Sequence, residues 1–151
     1  MFSTVFTILN FSKIMNTSKF ILSTIAYAVL NTAVAIIYHD VIFGTYYYGF
    51  NIYSAGENFS IPIAVIGSFI EGGVLSYCVQ RFAPVTNRVR FGIVMGVLLC
   101  LFASSYGVFQ TAALENVQGA GRGMFILLEF VAMMIYGVVG GAIIGWINRK
   151  A

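Results

Sequence analysis

Long apolar runs separated by short polar segments dominate the hydrophobic pattern of this chain. Four of these runs approach the roughly 20 residues that a helix needs to cross the hydrocarbon core of a bilayer. They cover residues 20–42, 61–80, 91–113 and 124–146. Because the segments between them are short, consecutive helices are expected to run in opposite directions. The pattern therefore predicts an all-α, polytopic integral membrane protein whose single domain, residues 20–147, is an antiparallel four-helix transmembrane bundle.

Prolines mark both boundaries of the second span. Pro62 lies in the first helical turn, where its missing amide hydrogen would have no partner, and Ser60 before it suits an N-cap. Pro84 lies just beyond the other end of this span and predicts that the helix stops there.

The composition excludes an ordinary soluble domain. Of the 151 residues, 60% are hydrophobic and only 9% are charged, whereas soluble domains carry about 25% charged residues. The short connections leave no room for a water-soluble catalytic domain. The basic residues form no patch with interleaved aromatic side chains, so nucleic acid is not an expected partner. The lipid bilayer is the expected environment.

Basic residues are unevenly divided between the two sides of the predicted bundle. Arg122 lies on one side alone, and the other basic residues share the opposite side: Lys13, Lys19, Arg81, Arg88, Arg90, Arg149 and Lys150. The positive-inside rule then predicts that both termini are cytoplasmic. Residues 1–19 are expected to form a cytoplasmic N-terminal segment, either as a short interfacial helix or with Met15 as the true start of the protein.

A carboxylate lies near the middle of the second span. Glu71 is about ten residues, or roughly 15 Å, from either end of this span, and an ionised side chain at that depth needs a partner or a function. In the first span, Asn31 is expected at a similar depth, on a stripe with Thr24, Tyr27 and Tyr38 that faces the bundle interior. We therefore predict a contact between Asn31 and Glu71, direct or through water.

The predicted topology brings further polar side chains to the outer half of the bundle. His39 and Asp40 end the first span, Gln110 ends the third, and Glu129 lies near the start of the fourth. Together with Asn31 and Glu71 they form a candidate ligand or proton site, in which the carboxylates relay protons or bind a cation. The alternative is that these groups only pair with one another and fix the helix register.

Two cofactor hypotheses involve His39, the only histidine. A divalent metal ion has possible ligands in His39, Glu71 and Glu129, since imidazole and carboxylates suit zinc, iron or copper. A haem has His39 as one axial ligand, and three methionines are available as the second: Met95, Met133 and Met134. The sequence contains no strong metal, phosphate or nucleophile motif, so it requires no cofactor.

Aromatic side chains fill the segment between the first two spans. Residues 44–60 contain six Tyr or Phe residues and no Lys or Arg. This composition is typical of a belt at the lipid headgroups, and a lid over a site or a docking surface is the alternative.

Small residues recur every three or four positions in the last two spans. The third span carries Gly92, Gly96, Cys100, Ala103, Gly107 and Gln110, and the fourth carries Gly137, Gly141 and Gly145. Such stripes let helix backbones approach closely. We predict that the third and fourth spans pack tightly against each other.

Several short motifs resemble those of a group of small bacterial four-span membrane proteins of unknown function. They are Tyr38-His39-Asp40 with Phe43 and Tyr47, Gly67 with Glu71-Gly72 and Tyr77, and Arg90-Phe91-Gly92 with Gly96. The resemblance implies a multi-pass protein of the bacterial inner (plasma) membrane, and it implies no particular activity.

Three functions are compatible with these features. The first is an accessory or structural subunit that acts through helix-helix contacts, in a homo-oligomer or with other membrane subunits. The second is a proton- or cation-coupled carrier of a small solute that uses Glu71 and Glu129. The third is a metal- or haem-binding membrane protein that uses His39, with an enzymatic activity less expected than the other roles.

Overall fold

The computed structural model describes residues 15–50, 61–113 and 121–149. All regular secondary structure in these residues is helical. The helices are α1 (Thr17–Ile36), α2 (Gly44–Gly49), α3 (Ile61–Phe82), α4 (Arg88–Ala113) and α5 (Gly121–Ile147). A π-helical segment, Ile37–Ile42, continues α1, and a 3₁₀ turn, Val85–Asn87, precedes α4.

Four helical segments are long and apolar enough to cross a membrane, which confirms the predicted all-helical fold with four apolar spans. They are Thr17–Ile42, Pro62–Phe82, Val85–Ala113 and Gly121–Ile147. The third α-helix ends at Phe82, before Pro84, as predicted. The expected N-cap at Ser60 and the expected interfacial helix before Met15 lie outside the described residues.

The first helix begins earlier than the hydrophobic pattern indicates, at Thr17 instead of residue 20. Asn16 is its N-cap, and the Asn16 side chain accepts a hydrogen bond of 3.0 Å from the backbone amide of Lys19. Such a cap satisfies one of the amides that a helix start leaves unpaired. Polar capping thus extends the helix beyond its apolar run.

Helices α1 and α3 meet in opposite sequence order. From the start of α1 to its end, the hydrogen-bonded pairs are Asn16–Gln80, Ser23–Ser76, Tyr27–Glu71 and Asn31–Ser68. We call the end of the structure that contains Asn16 and Gln80 the Arg88 end, and the end of α1 that leads to His39 the His39 end. Each pair lies nearer the His39 end than the one before it.

Glycines bring α4 and α5 into backbone contact, as predicted. A Cβ atom added at Gly92 would overlap the backbone of Gly141, and one at Gly96 would overlap the backbone of Gly137. At Gly145 it would lie 2.5 Å from the Cα atom of Val89. These glycines are required by the close approach of the two helices.

The prediction is wrong for Gly107, which is exposed and has open space beside it. The buried face of α4 follows every fourth residue, through Gly92, Gly96, Cys100, Val108 and Ala112. Since each step of four residues turns the buried face by roughly 40°, this face has rotated by about half a turn at Ala112. Gly107 lies about 60° around the helix from Gly92 and about 100° from its buried neighbour Val108, so it is outside the buried face at this level of the helix.

Candidate functional site

A histidine–carboxylate pair links the end of α1 to α5 at the His39 end. The Nε2 atom of His39 lies 3.2 Å from Oε1 of Glu129, and the two side chains are 23% and 13% exposed. The Nδ1 atom of His39 lies 3.0 Å from the carbonyl oxygen of Ala35 and 3.2 Å from the Tyr136 hydroxyl. The structure thus brings together two residues of the predicted site and adds Tyr136.

The hydrogen-bond roles in this pair depend on the tautomer of His39. Nδ1 either donates to the carbonyl of Ala35 or accepts from the Tyr136 hydroxyl, and the hydrogen bond between Nε2 and Glu129 has one proton between the two atoms. The imidazole, the carboxylate and the phenol hydroxyl thus form one hydrogen-bonded group.

A widened helical segment positions His39. In the π-helical segment the amide of Phe43 bonds to the carbonyl of Tyr38 at 3.0 Å, five residues earlier. Such segments are frequent at functional sites, because they rotate the side chains that follow. Here Tyr38 is buried and its hydroxyl donates to the carbonyl of Leu128 at 2.8 Å, which fixes His39 beside α5.

The aromatic segment after α1 partly covers this pair. The Tyr47 ring meets the His39 ring edge to face with centroids 4.5 Å apart, and Tyr47 and Phe50 are buried. Tyr46 and Tyr48 are each 52% exposed. One face of α2 therefore covers the pair, as the lid alternative expects, and the other face presents exposed aromatic side chains. Residues 51–60 of the aromatic segment lie outside the described part of the chain.

A second ionisable group, Glu71, lies at the interface between α1 and α3. Glu71 is half-buried, and its Oε2 atom accepts a hydrogen bond of 3.1 Å from the hydroxyl of Tyr27. The same hydroxyl lies 3.8 Å from the sulfur of Cys100, and Tyr27 is fully buried. The partner of Glu71 is thus the tyrosine of α1.

The predicted direct contact between Asn31 and Glu71 is not formed. Asn31 donates to Oγ of Ser68 at 3.1 Å, one helical turn from Glu71 on α3, because the longer Tyr27 already reaches the carboxylate. The Oδ1 atom of Asn31 is buried and has no hydrogen-bond partner among the described residues. Asn31 therefore lies in the expected interface, with a different partner.

A small cleft connects the neighbourhoods of these two groups. It is too narrow to hold a water molecule, and its lining includes Asn31 from the α1–α3 interface and Tyr136 from the His39 site. The remaining lining residues are Leu30, Val34, Val139 and Gly140. The unpaired Oδ1 of Asn31 and the Tyr136 hydroxyl thus belong to residues of one cleft.

Hydrogen-bonded pairs continue along α1 to the Arg88 end. The hydroxyls of Ser23 and Ser76 lie 2.5 Å apart and both residues are fully buried. We call the whole series, from Asn16–Gln80 through Tyr27–Glu71 to His39–Glu129, the polar seam. It extends from Asn16 to His39, which is 23 residue steps along α1 and its π-helical extension, or about 35 Å at 1.5 Å per residue, slightly more than the roughly 30 Å hydrocarbon thickness of a bilayer.

Two predicted site residues lie outside the seam. Gln110 is exposed and donates to the Tyr106 hydroxyl at 2.6 Å on its own helix. It lies about five turns from Gly92 and keeps that direction, while the buried face of α4 has rotated away. Asp40 is also exposed, and no described hydrogen bond involves it. Both residues are therefore removed from the candidate site.

The metal hypothesis is not supported by the arrangement of its three residues. His39 and Glu129 meet, whereas Glu71 bonds to Tyr27. Among residues 15–50, 61–113 and 121–149, no three His, Cys, Asp or Glu side chains lie close enough to share a metal ion. Glu71 therefore does not complete a ligand set with the histidine pair.

A buried polar network at the Arg88 end was not predicted. Gln80 donates to the Asn148 side chain at 2.9 Å and to the carbonyl of Asn16 at 3.2 Å, and Arg88 donates to the carbonyl of Asn148. These four residues come from the ends of four different helices. One pattern in the sequence indicates the position of Gln80 in this network. Polar and small residues occupy every fourth position of α3, and all of them are buried: Ser68, Gly72, Ser76 and Gln80.

Comparisons with protein-family models, curated proteins and solved structures found no match for this chain. The resemblance to small bacterial four-span proteins therefore stays a prediction.

Proposed function

We propose that the chain is an integral membrane protein whose four apolar helices cross a bilayer as an antiparallel bundle, with the Arg88 end in the cytoplasm. The opposite sequence order of the α1–α3 and α4–α5 contacts supports the antiparallel arrangement. The accumulation of basic residues at the Arg88 end supports the orientation. The location in a bacterial inner membrane rests on the sequence resemblance alone.

Within this bundle we infer a function in proton transfer. The observation that carries it is the polar seam, in which two carboxylates meet a hydroxyl and an imidazole that lie along one continuous helical segment, α1 and its π-helical extension. Glu71 and Glu129 each share hydrogen bonds with groups that accept and release protons, Tyr27 in one case and His39 in the other. Ionisable side chains inside a membrane are costly, and they typically mark ion or proton pathways.

The seam suggests the order of the transfer steps. The His39–Glu129 pair takes up a proton at the outer side, and the Tyr136 hydroxyl next to His39 leads to the cleft beside Asn31. The Glu71–Tyr27 pair then holds the proton near the middle of the bundle, and the Ser23–Ser76 hydroxyls continue towards the cytoplasmic end. Within each hydrogen-bonded pair one proton moves between an oxygen or nitrogen donor and its partner, without any change in covalent bonding between heavy atoms.

The cleft is too narrow to hold an organic solute or even a water molecule. A proton that passes from Tyr136 towards Asn31 therefore requires the lining side chains to move apart first.

Proton flux into sealed proteoliposomes tests this function. With a pH gradient and a trapped pH-sensitive dye, we expect flux above that of empty liposomes, and about tenfold lower flux for Glu71→Gln and Glu129→Gln, equivalent to about 1.4 kcal/mol of added barrier. Asp40→Asn is the matched control, because Asp40 is an exposed carboxylate outside the seam. Equal flux in all variants, or none in the unchanged protein, would overturn the proposal.

A second candidate function is self-association through α4. Ala103 and Gly107 are both exposed and four residues apart, a spacing that lets two helices approach closely. Phe102 and Tyr106 beside them are 85% and 71% exposed. On this hypothesis a second copy of the chain covers the face, and Gly107→Ile converts an oligomer in detergent into a monomer, whereas Gly67→Ile on α3 leaves it unchanged.

A further inference from the structure

A fully buried arginine begins α4. Arg88 is only 2% exposed, and its Nη1 atom donates to the backbone carbonyl of Asn148. Its Nε and Nη2 atoms are buried and have no hydrogen-bond partner within the described residues. Because a guanidinium stays charged in proteins, one edge of this side chain carries positive charge and unused donors.

No carboxylate of the described residues lies at the Arg88 end. Glu71 and Glu129 belong to the seam pairs described above, and Asp40 lies at the His39 end. A buried charge without a counter-charge is strongly destabilising, and no described side chain supplies a counter-charge to Arg88.

We propose that Arg88 binds the phosphate group of an anionic phospholipid in the cytoplasmic leaflet. Its Nε and Nη2 atoms form one side of the guanidinium fork, which matches two oxygens of a phosphate. Asn87 and Arg90 near Arg88 are exposed, so the site lies just beneath the protein surface, and a phosphate reaches Nε and Nη2 by displacing the atoms that cover them.

The bound lipid would stabilise the ends of four helices together. Arg88 bonds to Asn148, Asn148 to Gln80, and Gln80 to Asn16. A phosphate that neutralises Arg88 thus acts on a network that includes the start of α1, the end of α3, the start of α4 and the end of α5. This inference rests on the proposed membrane arrangement and is independent of proton transfer.

Native mass spectrometry of the delipidated protein in detergent tests the site. With phosphatidylglycerol we expect one retained lipid per chain, and with phosphatidylcholine weaker binding by about tenfold or more. Arg88→Gln should lose this preference for phosphatidylglycerol. The matched control is Arg90→Gln, which removes an exposed charge two residues away and should change the affinity by less than about twofold.

Several outcomes would overturn the proposal. Equal affinity of the unchanged protein for both lipids is one, and it requires no variant to fold. Equal losses in Arg88→Gln and Arg90→Gln would show that general surface charge attracts the lipid. If Arg88→Gln does not fold, Arg88→Lys keeps the charge without the fork, and undiminished lipid preference in that variant would also contradict the site.

Failure of the membrane arrangement gives a different result. A chain that is soluble and folded without detergent would refute that arrangement, whereas a detergent-requiring chain with no lipid preference would refute the Arg88 site alone. Proton flux in liposomes is a separate measurement, so its absence leaves the result on the lipid unaffected.

Discussion

The ring of Tyr27 on α1 occupies a space that exists because residue 140 on α5 is glycine. A Cβ atom at Gly140 would overlap the Tyr27 ring, and one at Gly72 on α3 would lie 2.9 Å from Cδ1 of the same ring. Two glycines from different helices therefore form a slot that seats the ring. The slot directs the Tyr27 hydroxyl to Glu71.

Substitution of Gly140 by alanine should disturb this slot. We expect Gly140→Ala to destabilise the protein by about 1–3 kcal/mol, the usual cost of overpacking a well-packed interior, because the Tyr27 ring has to move. Gly67→Ala is the control, since Gly67 lies in α3 with open space beside it. The measurement is unfolding in mixed detergent micelles followed by circular dichroism, and equal stability of the two variants would contradict the slot.

The α4–α5 contact should be even less tolerant, because backbone meets backbone. A Cβ atom at Gly137 would lie 2.5 Å from the Cα atom of Val97 and 2.8 Å from the carbonyl carbon of Gly96. We expect Gly137→Ala to cost at least about 2 kcal/mol, since the helices must separate. Gly67→Ala, in open space on α3, should instead gain up to about 1 kcal/mol through helix propensity.

The sequence was sufficient to predict the positions of the helices, but not which side of each helix is buried. Apolar runs and the two prolines placed the four apolar helices, because length and hydropathy are local properties. The direction of Gly107 and Gln110 depends on how α4 crosses α5, which shifts the buried face by roughly 40° with each step of four residues. A straight stripe of small residues therefore predicted the contact near Gly92 and failed near residue 107.

Only one contact of the candidate site was predictable from the sequence, the one between the ends of the first and fourth spans. His39 and Glu129 lie at the ends of two predicted spans on the same side, and their contact follows from topology. The partner of Glu71 depends on side-chain reach, which brings Tyr27 to it instead of Asn31. Nothing in the sequence distinguished the buried Arg88 from the exposed Arg90.

Disulfide trapping tests the register of α1 and α3. With Cys78 and Cys100 replaced by alanine, Ser23→Cys with Ser76→Cys should form a disulfide under mild oxidation, because the two hydroxyl oxygens lie 2.5 Å apart and an S–S bond spans about 2 Å. The readout is a shifted band in non-reducing electrophoresis.

The control for this register places the second cysteine on the other face of α3. Tyr77 follows Ser76 and is 45% exposed, so Ser23→Cys with Tyr77→Cys should stay reduced under the same oxidation. Efficient trapping of the Tyr77 pair and none of the Ser76 pair would mean that α3 is rotated about its axis relative to α1.

The His39–Glu129 pair should appear as a coupling free energy in a double-mutant cycle. We expect His39→Gln and Glu129→Gln to be non-additive by about 1 kcal/mol, the size found for polar contacts between membrane helices. The measurement is the unfolding free energy of the four proteins in mixed micelles.

His39→Gln with Asp40→Asn is the control cycle, since Asp40 is the exposed neighbour of His39, and its coupling should stay within about 0.5 kcal/mol. A His39–Glu129 coupling as small as that of the control cycle, within about 0.5 kcal/mol, would show that the acid on α5 is not the partner of His39, and proton transfer would then lack its outer step.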